Sequence, residues 1–189
     1  MQQRKPDYPI SPFFYERWSP RSFASSEIEK EVLLSLLEAA RWAPSSMNEQ
    51  PWYYLIGLGK DKELFLDCLV PENQLWAKKA PCLILLLYRP YFSKSQKENP
   101  TALFDCGLSA MSLMLEAHLR GLITHPMAGF HHEKTLQSLR IPKEYKPICF
   151  FAVGYQADRE LLPPHLQERE FPKGRLNLDE ICRFGPFEV

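Results

Sequence analysis

Apolar residues at positions 32, 33, 36, 37 and 40 recur at helical spacing, so one face of this stretch is apolar and a helix is expected. Ser26 and Glu29 stand ahead of it at capping-box spacing. Pro44 stops it, because the residue before a proline disfavours helical dihedrals. Residues 52–58 are aromatic and aliphatic, with Gly57 and Gly59 at the end, and read as a strand. A short helix is expected over 62–69. The run 81–88 is apolar without alternation and predicts a strand covered on both faces. A polar loop follows over 91–100. The strongest helix spans 101–120, where Leu103, Cys106, Gly107, Ala110, Met111, Met114 and Leu115 form a stripe and Gly121 suits the C-terminal cap. Its small residues Cys106, Gly107, Ser109 and Ala110 would let another helix approach closely. A short strand over 122–124, a helical turn or two over 134–140 and a strand over 148–155 complete the pattern.

Strands and helices in this order make an α+β arrangement of a sheet packed with helices. The 189 residues suffice for a single domain, 1–189, with one substantial core. Residues 1–24 read as an N-terminal arm. Residues 161–189, rich in proline and charge, read as an extended tail with little core of its own. The 17 prolines are spread along the chain rather than gathered in a linker.

Charge and cysteine content narrow the function. Lys+Arg and Asp+Glu are both 23, a balance that disfavours general nucleic-acid binding but leaves room for a local basic cluster. No apolar run approaches the roughly 20 residues that span a bilayer, and the polar opening leads into no signal-peptide core, so a cytoplasmic location is expected. Five cysteines at wide spacings, with no Cys-x-x-Cys, fit reduced, mostly buried thiols rather than a disulfide framework or zinc site. His125, His131 and His132 lie in a loop with no helical i, i+4 pair and no cysteine nearby, which does not suit a metal; His118 falls in the long helix.

Four segments carry candidate chemistry. Arg17-Trp18-Ser19-Pro20-Arg21 gathers two guanidinium forks and a hydroxyl, a donor set that matches phosphate oxygens, although a solvated basic turn would look the same. Ala43 to Trp52 holds Ser45, Ser46, Asn48 and Gln50; the amides suit the polar edge of a heteroaromatic ring, while serine, proline and asparagine are also ordinary turn residues. Thr124 to Phe130 has small residues that allow a ligand to reach the backbone. Lys173-Gly174-Arg175 is a second basic pair, or a solvated face.

Taken together, in this order and at these spacings, the four segments resemble the nitroreductase family of FMN flavoproteins. The family's Arg-x-Ser-x-Arg is matched by Arg17, Ser19 and Arg21. Its Ala-Pro-Ser-x-x-Asn-x-Gln-Pro-Trp loop is matched by Ala43 to Trp52, its Thr-His-Pro-Met-x-Gly-Phe segment by Thr124 to Phe130, and its closing basic motif by Lys173, Arg175 and residues 178–181. Trp18 stands where the family commonly has a second arginine, and Ile123 where it often has glycine.

The resemblance implies a central mixed or antiparallel sheet flanked by helices, an interlocked homodimer, and FMN at the subunit interface. Arg17, Ser19 and Arg21 would contact the phosphate, ribityl chain and pyrimidine edge, with Lys173 and Arg175 completing the phosphate clamp. Asn48 would bond the flavin ring. Pro44, Ser45 and Ser46 would reach the partner's flavin, and the Ala128 and Gly129 amides would face N5. Trp18, Gln50 and Met127 belong to the same binding motifs. The long helix would pack across the dimer, and the tail would wrap the partner. The activity implied is electron transfer from NADH or NADPH through FMN to a nitroaromatic, quinone or similar acceptor, in ping-pong order. The flavin carries the redox chemistry, so no side chain is nominated as acid, base or nucleophile. No Gly-x-Gly-x-x-Gly is present: Gly57-Leu58-Gly59 is followed by Lys62 at the third position. The competing readings are a flavin carrier or sensor without turnover and a thiol redox protein using Cys82 or Cys149.

Overall fold

A computed structural model describes residues 4–187. Its elements run α1 (Pro12–Glu16), α2 (Lys30–Arg41), β1 (Trp52–Leu58), α3 (Lys62–Asp67), α4 (Pro71–Ala77), β2 (Cys82–Tyr88), α5 (Ala102–Leu119), β3 (Ile123–Met127), α6 (His132–Ser138), β4 (Lys146–Gly154), α7 (Pro164–Gln167) and α8 (Leu178–Ile181). The four strands form one sheet in the order β1-β2-β4-β3, and every neighbouring pair is antiparallel.

The expected apolar run is the central strand β2. It alternates between two cores: Leu83, Leu85 and Leu87 face one side of the sheet, Cys82, Ile84 and Leu86 the other. On the first side they meet Phe65 of α3, Trp76 and Ala77 of α4, Phe150 and Ala152 of β4, and Leu166 of α7. On the second they meet Leu33, Leu36 and Ala40 of α2 and Leu113 and Ala117 of α5. Each fully buried leucine here contributes about 2 kcal/mol of hydrophobic stabilisation. Both sides therefore need helices, and the two-layer covering is what makes β2 apolar throughout.

Several expectations change. Ser26 and Glu29 do not form a capping box: Glu29 itself occupies the N-cap of α2 and makes no side-chain cap bond. Pairing of that type occurs at α8 instead, where the Asn177 backbone N–H donates to Glu180 Oε2 at 2.8 Å. The arm contains α1, begun by Pro12 at the first helical position, where its missing N–H costs nothing. Pro71 starts α4 in the same way.

The buried stripe of α5 is rotated from the one expected. Ala102, Asp105, Cys106, Ser109, Ala110, Leu113 and Ala117 face inward, while Leu103, Gly107 and Phe104 are exposed. Polar Asp105 and Ser109 are inside because they have partners: the Ser46 N–H donates to Asp105 Oδ2 at 3.1 Å, and the Ser109 hydroxyl donates to the Ala40 carbonyl at 2.9 Å. The tail has more core than its composition suggests. Leu162, Leu166 and Glu170 are buried, and the chain becomes largely exposed only after them. Among the described residues no helix is long and apolar enough to cross a membrane.

Candidate functional site

Residues 22–24 fasten the arm to the end of β4. The Ala24 N–H donates to the Tyr155 carbonyl, the Ala157 N–H to the Ser22 carbonyl, and the Ser22 hydroxyl to the Asp158 carbonyl at 2.6 Å. Phe23 packs directly over Gly154, where a Cβ would come within 2.9 Å of its ring and 2.6 Å of Pro81; a side chain at 154 would displace the arm. The arm is thereby delivered beside the tail.

Between them lies a cavity of about 260 Å³. Arg17, Trp18, Ser19 and Arg21 line it from the arm, and Arg169, Lys173 and Arg175 from the tail. Arg4 and His125 of β3 complete the wall. The first and last basic motifs expected from sequence are thus brought together. Arg4 and Arg169, which sit in no motif, were not anticipated; His125 belongs to the third motif but was given no role of its own in binding.

The electrostatics are one-sided. Among the described residues, the single carboxylate ion-paired with these cations is Glu170, whose Oε2 lies 3.6 Å from Arg21 Nη1. The Arg17 guanidinium is held below its ordinary pKa by burial first, then by the charges of Arg175 and Arg4. Arg4 shifts the same way, through burial and then Arg175. Arg4 donates to the Arg17 carbonyl at 3.2 and 3.3 Å, and Arg17 Nη1 donates to the Ser19 hydroxyl at 3.4 Å. Arg17 Nε is buried and has no hydrogen-bond partner among the described residues. Arg17, half-buried among like charges and with an unsatisfied Nε, marks a site built for an anion. Burial, reinforced by Arg21, pushes the His125 imidazole down to about 4 against the pull of carbonyls at Pro20 and Ser19. It is therefore neutral near pH 7, with Nδ1 3.0 Å from the Pro20 oxygen.

The second motif lies elsewhere on the chain. Pro44, Ser45, Ser46, Asn48 and Gln50 form an irregular turn between α2 and β1, and none of them lines the basic cavity. Met47, Asn48 and Gln50 have φ of 53°, 55° and 51°, a left-handed region costly for residues other than glycine. The strain is held by local bonds: the Gln50 N–H donates to Ser45 Oγ at 3.0 Å, Gln50 Nε2 to Asn48 Oδ1 at 3.1 Å, and Ser46 is tied to Asp105. Met47 projects outward, 86% exposed.

The third motif divides. Met127 is buried in the first core and Ala128 is exposed. Gly129 has no room for a side chain, since a Cβ would lie 2.8 Å from Asn73 Nδ2 and 2.9 Å from Val70. Its smallness, read from sequence as room for a ligand, serves the contact with α4; its carbonyl accepts from the Val70 N–H and from Asn73 Nδ2. Thiol chemistry finds little support. Burial pushes Cys82 and Cys149 up to about 12, so neither supplies thiolate near pH 7.

Comparison with known proteins shows the family and the fold. A profile of the nitroreductase family matches residues 15–64 and 57–155. A solved structure of an oxidoreductase containing FMN is 37% identical, with TM-score 0.94, covering 98% of this chain and 96% of that one. A nitroreductase family protein from Streptococcus pneumoniae is 22% identical, with TM-score 0.74, covering 92% and 98% of the two chains; at that identity it speaks to fold alone. YdgI of Bacillus subtilis, which bears the name of an NAD(P)H nitroreductase, is 28% identical over 168 residues, 70% of this chain and 80% of its own.

Proposed function

The chain belongs to the nitroreductase family, and from that premise we propose that it is an NAD(P)H-dependent oxidoreductase whose basic cavity holds the phosphate of FMN. One observation carries the reading: cations from positions 4, 17, 21, 169, 173 and 175 converge on one cavity. The donor set fits a phosphate monoester, which is dianionic near neutrality and takes bidentate guanidinium bonds. Arg17 Nε, buried without an acceptor, is a donor such a group would satisfy. Arg17, Lys173 and Arg175, with Arg4 and Arg169, would hold the phosphate, Ser19 and Trp18 would border the ribityl chain, and Arg21 would reach the pyrimidine edge of the ring.

When bound there, FMN would supply the two-electron chemistry between NADH or NADPH and a nitroaromatic, quinone or similar acceptor, in ping-pong order. The protein binds and orients the ring, and no side chain of the basic cavity is required as a nucleophile. A second copy of the chain completes the site in this reading. Pro44, Ser45, Ser46, Asn48 and Gln50 lie outside the basic cavity of their own chain, and the apolar Leu103, Phe104 and Met47 are exposed nearby, as an unfilled subunit interface would be. Asn48 and Gln50 would then offer amides to the ring edge, and Ala128 and Gly129 backbone groups would face N5.

The test is spectroscopic. The purified protein is expected to be yellow, with FMN absorbance, and to bleach at catalytic rates on anaerobic addition of NADH or NADPH, then recover with a quinone or nitroaromatic. Yellow protein that no donor bleaches would make it a carrier without turnover. Colourless protein indifferent to added FMN would end the reading altogether.

A further inference from the structure

We propose that Asp105 is a positioning residue for the turn at 44–50, holding it against the start of α5. Asp105 is only 3% exposed, and a carboxylate so far removed from water is costly unless it is bonded. Its Oδ2 accepts from the Ser46 N–H at 3.1 Å, across 59 positions of sequence, and from the Thr101 hydroxyl at 3.3 Å. The Thr101 hydroxyl has a nearer acceptor in Asn99 Oδ1, at 2.8 Å. The Ser46 N–H is therefore the group for which Asp105 is needed.

The turn has a shape of its own but little to fix its place. The bonds from the Gln50 N–H to Ser45 Oγ and from Gln50 Nε2 to Asn48 Oδ1 lie within it. They shape a loop in which Met47, Asn48 and Gln50 all have left-handed φ, a conformation that surrounding structure must enforce. Among the described residues, two side-chain hydrogen bonds join this loop to other parts of the chain. In one, Glu49 Oε1 accepts from the Ser93 N–H at 2.8 Å, but that bond is exposed and water competes for it. The other is the bond to Asp105, whose own side is closed to water. The first turn of α5 points Leu103 and Phe104 outward and Asp105 inward, so the anchor shares one helical turn with the apolar surface.

The consequence for flavin rests on the reading in which this turn offers the Asn48 and Gln50 amides to the ring edge. An amide on a loop free to shift loses its aim, because a hydrogen bond weakens steeply with distance and angle. Asp105 thus acts on the ring through Asn48 without touching it.

Hydrogen exchange of the full chain as purified tests the hold itself. Asp105→Leu, which keeps the bulk but cannot accept, should speed exchange at residues 46–50 by about tenfold or more while β1 and β2 keep parental rates. Asp105→Asn retains an acceptor for the Ser46 N–H and should restore protection to within about threefold. Flavin affinity, measured after dialysis, tests the consequence. Asp105→Leu should weaken FMN binding by about tenfold, and Asp105→Asn by less than about threefold. Asn48→Asp tolerates left-handed φ but lacks the amide donor, and should weaken binding by a similar factor. Adding Asp105→Leu to it should do little more, because both act through one side chain.

Unchanged exchange at 46–50 in Asp105→Leu, failure of Asp105→Asn to restore it, or full additivity with a damaging Asn48→Asp would overturn the proposal. Asp105→Ala gives the same comparison should the leucine variant not fold. Parental FMN affinity in Asn48→Asp would instead sink the reading that the turn meets the ring, while hydrogen exchange would still decide whether Asp105 holds the turn, so the two failures are distinguishable.

Discussion

A neutral histidine among arginines has a measurable consequence. His125 titrates near 4 in the folded chain because burial, and then the Arg21 charge, disfavour the imidazolium, whereas in the unfolded chain it should titrate near the ordinary value of about 6.5. Its folded pKa is depressed, so the stability tied to it is complete above about pH 6.5 and is lost as pH falls toward 4, where the unfolded chain takes up a proton that the folded chain refuses. From pH 6.5 to 5 the loss should be about 2 kcal/mol. Urea unfolding of the flavin-free protein at the two pH values measures it, and His125→Asn should flatten the difference. An equal slope in the variant would show that other groups set the acid limb. At this scale the sequence revealed chemistry but only part of the cast. Arg17, Ser19, Arg21, Lys173 and Arg175 could be picked out because they stand in dense motifs. Arg4, Arg169 and Glu170 could not, and the part of His125 within its motif could not be read either, because what recruits them is proximity across the fold: His125 meets Pro20 over 105 positions and Glu170 meets Arg21 over 149.

Among the elements, legibility followed length and boundaries. β1 was readable to the residue, and β2 within one, since each is an apolar run of strand length bounded by proline or glycine. α5 was readable as a helix but not as to which face is buried. Apolar residues run nearly all the way round it, so periodicity alone does not choose between the stripe through Leu103 and Met111 and the stripe through Ser109 and Leu113. Tertiary hydrogen bonds decide it. Ser109 is fully buried, donates to the Ala40 carbonyl at the end of α2 and meets Tyr54 Oη at 2.8 Å, so it couples α5 to both α2 and β1. Burial pushes the Tyr54 phenol well above its ordinary pKa, so it remains a neutral partner. Ser109→Ala should therefore cost about 1–3 kcal/mol, more than a buried methyl-for-hydroxyl change with no partners, because it strands a largely buried phenol. Denaturant unfolding should show the loss, with Tyr54→Phe relieving part of it in the double variant; a neutral Ser109→Ala would mean the inner face of α5 is held by packing alone. The same dependence on partners explains why α4 went unread: its inward face is Trp76 and Ala77, too few apolar residues to set a period.

For the whole molecule, the motifs of the expected site lie in two separate places on one chain. The basic cavity gathers the motifs at 17–21 and 173–175, while the strained turn at 44–50 sits apart with Met47 pointing outward, next to the apolar start of α5. Leu103 is 56% and Phe104 68% exposed, adjacent apolar side chains uncovered on α5, as an interaction surface would be. If a second copy covers it, charge placed there should separate the subunits without harming the fold, because neither side chain belongs to the two core clusters. Leu103→Glu with Phe104→Glu should weaken dimerisation by about 100-fold or more, as central interface anchors commonly carry 2 kcal/mol or more each. Light scattering after gel filtration at micromolar concentration should then report one subunit where the parent gives two. Flavin should be lost in step with the mass, since the ring would lose the amides of the opposite Asn48 and Gln50 while the phosphate kept its own chain's arginines. A variant that separates yet retains flavin at parental affinity would mean each chain binds the cofactor alone. Parental protein that is monomeric and yellow would remove the need for a partner, and the exposed face of α5 would then require another occupant.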